Sequence, residues 1–335
     1  MISSSSWNTE ERVVSPQEKQ SDSKVFQNIF RPKTLENYIG QSQLKKHLSV
    51  AISSAKIRGN PLEHVLFYGP PGLGKTTLSG ILAYEMDSHL RTTSWPAIEK
   101  QSDLISILSN LQAGDILFID EIHRLRPQVE EILYTAMEDY QIDIMVGSGT
   151  GAQSVKLPIK PFTLVWATTR LSALSAPLRD RFWNVLKLDF YETSDLATIL
   201  DNNCKNLEIE LPEHVLEVIA RKSRGTPRIA NRLLKILRDY HTIGKNIADI
   251  TVLEEVFADI GIDEKGLDIL DRKYLDTIHK NFQGGPVGLN TLASVLGEEE
   301  STLEDVVEPY MLQIWFIERT PRGRKITWAG MGYIS

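Results

Sequence analysis

The residues best placed to do chemistry begin with Gly69-x-x-x-x-Gly74-Lys75-Thr76. This is the spacing of a phosphate-binding loop. Gly72 and Gly74 let the backbone curl so that successive N–H groups face phosphate oxygens. Lys75 sets a positive charge at the β- and γ-phosphates, and the Thr76 hydroxyl suits Mg²⁺. Thr77 starts the following helix, whose positive dipole end adds to the anion site. The alternative is a Gly-rich turn without function. It fits less well, because residues 65–68 read as a buried strand before the loop and residues 77–86 as an amphipathic helix after it. A second pair, Asp120-Glu121, ends the apolar run 116–119. Asp120 would hold Mg²⁺ through water, and Glu121 would polarise the water that attacks the γ-phosphate. Alone, such a pair is equally a solvated strand end; downstream of a phosphate loop the hydrolytic reading is the stronger. His123 and Arg124 follow and read as structural or partner-contacting residues.

Other candidates depend on the elements that carry them. The apolar run 162–167 ends in Thr168-Thr169-Arg170, where a strand-tip hydroxyl could sense the γ-phosphate or simply cap the next segment. In Pro177-Leu178-Arg179-Asp180-Arg181-Phe182 the two arginines point different ways. One could pair internally while the other reaches a neighbouring subunit's phosphate, but spacing alone leaves both structural. Helices expected over 41–58, 104–111 and 128–140 alternate with these strands and a last strand over 186–190. That alternation implies a mainly parallel sheet covered by helices, with ligands at the carboxyl ends of its strands. Residues 141–146 and 152–157 flank a Gly-rich turn and predict a protruding β-hairpin. The lead-in 26–40, with Phe30 and Arg31, could wrap a nucleotide base or simply pack.

From 191 to 263 the pattern is all helical, over 195–207, 213–222, 227–240 and 251–260. Arg228 falls in the first turn of the helix that Pro227 opens, a place the macrodipole disfavours; from there it could swing to a phosphate. Further on, helices are expected over 269–282 and 289–296. A third, over 303–313, is expected to open with a Ser301-x-x-Glu304 capping box. Extended segments over 314–317 and 325–328 follow, with Arg319, Arg322 and Arg324 between them. Three helices and a two-stranded turn make a winged helix. Arg319, Arg322, Arg324 and Lys325 concentrate positive charge with no acid among them, which suits DNA phosphates; the alternative is a solvated basic turn.

Composition sets the outer bounds. The chain has 335 residues, 41% hydrophobic and 24% charged, and carries a net charge of −7. These values fit a soluble globular protein of two or three domains. A negative net charge does not advertise nucleic-acid binding, yet local patches decide that question. The single cysteine, Cys204, excludes an intramolecular disulfide and a cysteine zinc cluster and fits a reducing cytosol. No run of ~18 apolar residues predicts a membrane span. The first residues lack the apolar core of a signal peptide, and 1–25 read as a disordered tail.

Taken together, these stretches resemble the RuvB family, the AAA+ motors of bacterial Holliday-junction branch migration. The resemblance rests on Gly69 to Thr77, on Asp120-Glu-Ile-His-Arg-Leu125, and on Ala167 to Arg170 with Pro177 to Phe182. More specific to the family are Ser223-Arg-Gly-Thr-Pro-Arg-Ile-Ala-Asn-Arg-Leu233, Gly284 to Leu289 and Arg319-Thr-Pro-Arg-Gly-Arg324. It runs from about residue 30 to residue 327 and implies an α/β fold. An AAA+ P-loop parallel-sheet domain over 26–190 would be followed by a small all-α lid over 191–262 and a winged-helix domain over 263–335. It implies ATP and Mg²⁺ as ligands, with Thr76 and Asp120 on the metal, in a cytoplasmic enzyme. Phe30, Arg31 and Tyr191 would contact the nucleotide, and Glu138, Asp139 and Tyr140 lie in a family nucleotide-contact stretch. Thr168 or Thr169 would be the strand-tip sensor, Arg181 the arginine finger given to the next subunit, and Arg228 the lid arginine. Arg319, Arg322 and Arg324 would touch DNA. The hairpin 142–157 would dock RuvA, with RuvC as a further partner, and a homohexamer would ring the duplex. Gln153, Trp166, Trp183 and the tail after Thr327 depart from the family pattern, and the two tryptophans, near the sensor strand and the finger, could alter subunit packing or the hydrolysis rate. A clamp loader should carry a C-terminal helical collar, and a non-hydrolysing DNA-binding regulator should lack Glu121 and Arg181; neither describes this chain.

Overall fold

The computed structural model describes residues 13–15, 29–94, 97–98, 100–121, 127–146 and 153–334. They fall into two compact units, Arg31–Asp189 and a second made of Met1–Phe30 with Phe190–Ser335.

Arg31–Asp189 is built on a five-stranded sheet ordered β2-β3-β6-β1-β7, every neighbouring pair parallel. The strands are β1 (Val65–Tyr68), β2 (Leu90–Ser94), β3 (Ile116–Asp120), β6 (Thr163–Thr168) and β7 (Asn184–Lys187). All six residues of β6 are buried, as are Ile116 to Ile119 of β3, which is how central parallel strands covered on both faces must read. Helices α1 (Ser42–Arg58), α2 (Lys75–Glu85), α3 (Gln101–Ser109), α4 (Pro127–Glu138) and α5 (Ala176–Arg179) belong to this unit. The hairpin β4–β5 (Gln141–Val146, Gln153–Pro158) forms its own antiparallel sheet, and residues 147–152 at its turn lie outside the described residues.

Two findings differ from expectation here. Edge strand β2 has the sequence Leu-Arg-Thr-Thr-Ser and is mostly exposed, so it lacks the alternation that would announce it. The last strand is Asn184–Lys187 rather than 186–190, because its pairing is set by β1, Val65 opposite Asn184. Trp166 is fully buried in the middle of β6, with its ring 4.9 Å from that of Phe182. Its indole N–H has no acceptor among the described residues. Trp183, by contrast, is 83% exposed.

His64 ties the entry of β1 to two other elements. Its Nδ1 accepts the Leu164 N–H at 2.9 Å, so Nε2 carries the proton and donates to the Met137 carbonyl at 3.2 Å. Burial holds its pKa below the ordinary value.

In the second unit, α6 (Thr193–Asn206), α7 (Glu213–Lys222), α8 (Pro227–Thr242) and α9 (Ile250–Asp259) form the helical part. Next come α10 (Ile269–Asp276), α11 (Leu289–Leu296), α12 (Glu300–Thr302), α13 (Glu308–Gln313), the hairpin β8–β9 (Ile317–Thr320, Gly323–Ile326) and α14 (Trp328–Ile334). The joint between the helical part and the winged helix is polar and buried. Arg224 pairs with Asp271, donates from Nε to the Gly266 carbonyl at 2.7 Å, and lies 5.0 Å from the centroid of the Tyr310 ring. Lys222 donates to the Asp263 carbonyl at 2.8 Å and pairs with Glu254. Breaking one member of such a pair strands a buried charge, so the joint resists bending.

Several expectations change here too. Within the stretch 1–25 read as disordered, Val14 is wholly buried and the Ser15 carbonyl accepts from Arg232. The helix expected over 269–282 gives way to a π turn, Thr277–Asn281. Ser301 is not a cap. The helix starts one residue earlier at Glu300, and the Ser301 hydroxyl donates to the Glu299 carboxylate at 3.2 Å. A π turn, Leu303–Val307, then leads into α13. The apolar run 314–317 is largely a turn, with Trp315 at φ 58, so the wing strands lie further along and include Arg319 and Arg324.

Two predictions follow from the sheet unit. Trp166→Phe keeps the ring and removes the unpartnered N–H, so a urea melt should shift by less than about 1 kcal/mol or gain stability, whereas Trp166→Ala should lose about 3–5 kcal/mol. His64 is held neutral, so its contribution to stability is present above its unfolded pKa of about 6.5 and is lost as pH falls through the lower folded value. NMR titration should place the His64 transition below that of a free imidazole, and His64→Phe should flatten the acid side of the stability profile.

Candidate nucleotide site and wing

The parallel register brings three chemical groups to one edge of the sheet. Tyr68 lies opposite Thr168 and Ile119 opposite Trp166, so β1, β6 and β3 end together. The loop after β1 carries the glycines, the end of β3 carries Asp120 and Glu121, and the end of β6 carries Thr168 and Thr169.

Gly69, Gly72 and Gly74 have φ of 143, 80 and 104, which glycine adopts most readily. A Cβ on Gly69 would lie 2.5 Å from the Leu188 carbonyl oxygen, and one on Gly74 would lie 2.9 Å from the Tyr38 hydroxyl. Tyr38 is a residue whose role the sequence did not reveal. It is buried, and its hydroxyl donates to the Leu73 carbonyl at 3.3 Å, holding the loop from behind. Lys75 opens α2 and is 7% exposed, its ammonium donating to the Gly69 and Pro70 carbonyls at 2.7 and 2.9 Å. Thr76 and Thr77 sit half-buried in the same first turn, which has no acidic residue to compete with an anion. A curled loop, a buried ammonium folded into it and a helix start free of acids fit a polyphosphate.

Asp120 Oδ1 accepts the Glu121 N–H at 3.0 Å, and Glu121 stands at φ 57, a strained setting for a side chain of this size. His123 and Arg124 lie outside the described residues. The Thr168 hydroxyl is buried and accepts the Arg170 N–H at 3.0 Å, while Thr169 is half-buried one residue nearer the edge. Glu138 and Asp139 are exposed at the end of α4, with Tyr140 half-buried at φ 50. Arg181 folds onto its own chain. Its guanidinium lies 4.4 Å from the centroid of the Tyr134 ring, Nη1 donates to the Pro177 carbonyl at 2.7 Å, and Nε is 3.0 Å from Glu138 Oε1 without its N–H aimed at that oxygen. Arg31 is half-buried.

In the other unit, Phe30 and Arg228 are half-buried and Tyr191 is buried. The Tyr191 N–H donates to the Gly225 carbonyl at 2.9 Å, four residues after Arg221 and three before Arg228 in the loop that leads into α8.

The wing is not the acid-free cationic turn that its local sequence describes. Arg319 and Arg324 face each other across β8 and β9, and only Arg322 lies in the turn. Between the paired arginines sits the fully buried carboxylate of Glu308. It accepts Arg319 Nε at 2.7 Å, Arg324 Nε at 2.8 Å and the Tyr274 hydroxyl at 2.9 Å. Burial works against the Arg324 charge, but Glu308, together with Tyr274 and Glu304, more than offsets this and its pKa is raised. Lys325 pairs with Glu318 at 3.5 Å. The helical segment that would enter a groove in a helix-turn-helix carries Glu298, Glu299, Glu300, Glu304, Asp305 and Glu308 and no cation.

Among the described residues no group of three or more His, Cys, Asp or Glu could hold a metal ion, and no helix is long and apolar enough to cross a membrane. Three family models match consecutive stretches of the chain. Residues 30–188 match the Holliday junction DNA helicase RuvB P-loop domain, 191–263 the RuvB AAA lid domain and 264–335 the RuvB C-terminal winged helix domain. Among solved structures, the Thermotoga maritima RuvB Holliday junction branch migration motor is similar, with a TM-score of 0.84 and 47% identity over 91% of this chain and 98% of that one. Two single-residue variants of the same Thermotoga maritima protein match with a TM-score of 0.84 at 48% identity and the same coverage. With the nucleotide loop, lid and winged helix each matched in order, the chain belongs to the RuvB family of AAA+ P-loop ATPases.

Proposed function

We propose that this protein is an ATP-driven DNA translocase that moves Holliday junctions during recombination and repair in the cytoplasm. It would act as a homohexameric ring with RuvA and RuvC. The observation that carries the reading is the shared sheet edge at which the phosphate loop, Asp120-Glu121 and the Thr168-Thr169 tip end together. Lys75 and the α2 N-terminus bind the phosphates. Thr76 and Asp120 would hold Mg²⁺, which supplies charge neutralisation at the transferring phosphoryl group. One hydroxyl, one carboxylate and substrate oxygens suffice for that ion, so a dedicated protein cage is not required. Glu121 orients the attacking water. Thr169 suits the sensing role better than Thr168, whose hydroxyl is engaged with Arg170.

Phe30, Arg31 and Tyr191 contact the nucleotide, and Arg228 reads its state from the lid. Glu138, Asp139 and Tyr140 border the same nucleotide from the family's contact stretch. Arg181 serves the adjacent subunit. In the single chain it rests on Tyr134 and Glu138, so it must rotate off them to reach a neighbour's phosphate. The hairpin 142–157 docks RuvA; its half-exposed Val155 supports an apolar contact. DNA is met by Arg319, Arg322 and Arg324. The acidity of residues 298–308 supports the wing rather than the preceding helix as the contact, since carboxylates are repelled by phosphates.

Glu121→Gln should lower ATP turnover by roughly 10²–10³-fold and leave nucleotide binding within a few fold, read by steady-state hydrolysis beside equilibrium binding of a fluorescent nucleotide. Arg181→Ala should also lose turnover by about 10³-fold. Mixing Arg181→Ala with Glu121→Gln should restore part of it, because some interfaces then combine an intact Glu121 with an intact Arg181. Mixtures that stay as inactive as either parent would count against sites shared between subunits.

A further inference from the structure

The wing holds two carboxylates whose geometry differs sharply. Glu308 is 0% exposed and accepts short bonds from both wing arginines and from Tyr274. Glu304 is 34% exposed, and its Oε1 lies 3.9 Å from Arg319 Nη1 and 3.9 Å from Arg324 Nη2. The first is a buried, fully engaged anion that cannot leave without stranding two cations. The second is a long, solvent-facing bridge between two guanidinium groups, a kind of pair that contributes little.

A phosphate oxygen lying between the place of Glu304 Oε1 and the two guanidinium groups would meet both arginines at once. It would make the short, charge-assisted bonds that the carboxylate at 3.9 Å does not make. Glu308 would stay in place beneath them. It takes the Nε and Nη2 side of each guanidinium, with Arg319 Nη2 at 2.6 Å and Arg324 Nη2 at 3.4 Å from its Oε2, so what reaches toward Glu304 is Arg319 Nη1 and, shared with Glu308, Arg324 Nη2. Tyr274 in turn fixes Glu308, because its hydroxyl donates to Oε1, the oxygen that also takes Arg324 Nε. From this geometry we infer that Glu308 is a positioning residue that presents Arg319 and Arg324 to a DNA phosphate, and that Glu304 occupies the phosphate's place until DNA displaces it.

The inference deepens the reading of the wing as the DNA contact and rests on it. Two neighbouring acids then act with opposite sign, which simple neutralisation of the wing does not allow. If both merely cancelled positive charge, removing either would tighten DNA binding.

The test is anisotropy of a fluorescently labelled duplex with the full chain and a non-hydrolysable ATP analogue, across a salt series. Glu304→Gln should tighten binding by about 3- to 10-fold and steepen the plot of log affinity against log salt, because no carboxylate is left to compete. Glu308→Gln should weaken binding by about 10-fold. Tyr274→Phe should weaken it by about 2- to 3-fold with DNA-free ATP hydrolysis unchanged, which keeps the test open if Glu308→Gln fails to fold. Glu304→Gln that binds no tighter, or Glu308→Gln or Tyr274→Phe that binds as well as or better than the parent, overturns the inference. The double change Arg319→Ala with Arg324→Ala separates the two levels. If it leaves DNA binding intact, the wing reading itself fails; if it weakens binding while Glu304→Gln has no effect, only the inference fails.

Discussion

The parallel pairing of β1, β6 and β3 is the constraint on which the rest depends. Parallel strands deliver their carboxyl ends to one edge, so three segments far apart in the chain present a loop, two carboxylates and two hydroxyls side by side. Full burial of β3 and β6 holds that alignment, because sliding either strand would leave buried backbone groups unpaired and break close packing on both faces. Gly69 adds a local lock: its missing Cβ lets the loop pass against the Leu188 carbonyl, just beyond β7. Nucleotide chemistry here is thus a consequence of sheet topology, with the loop and its lysine as the binding element.

The second unit uses buried charge where the first uses buried apolar strands. Arg224 with Asp271, Lys222 with Glu254, and Glu308 with Arg319 and Arg324 each hold at least one fully buried ion, while Glu254 and Arg319 stay partly exposed. Such pairs are poor sources of net stability and good sources of fixed geometry, since each half has only one acceptable place. Tyr274 lies three residues after Asp271 on α10 and bonds Glu308, so the joint with the helical part and the wing share one helix. The loop that opens α8 with Arg228 begins at that same joint.

Much of this was readable from residue types and spacing. The phosphate loop and Asp120-Glu121 are legible because the spacing is itself the chemistry, and flanking apolar runs mark buried strands. What escaped the sequence did so for physical reasons. β2 is an edge strand of polar residues, whose pairing with β3 is made by backbone groups. Ser301-x-x-Glu304 has the letters of a cap, but the helix begins at Glu300 and both side chains are used elsewhere. The wing's charge was misjudged because a local tally cannot see Glu308, 11 residues before Arg319 and 16 before Arg324 in sequence. Trp166 lies inside the sheet's own core, a placement that only strand order reveals. Tyr38 escaped because its contact is one hydroxyl on one carbonyl.

The central claim is that ATP hydrolysis at this sheet edge is converted into movement of duplex DNA. Its most direct test follows dissociation of a labelled four-way junction over time, with protein, Mg²⁺ and either ATP or a non-hydrolysable analogue, with and without the junction-binding partner. The account predicts conversion of the junction to separate duplexes with ATP alone, at a rate that rises steeply with protein concentration. A junction that stays intact while bound protein consumes ATP would contradict it.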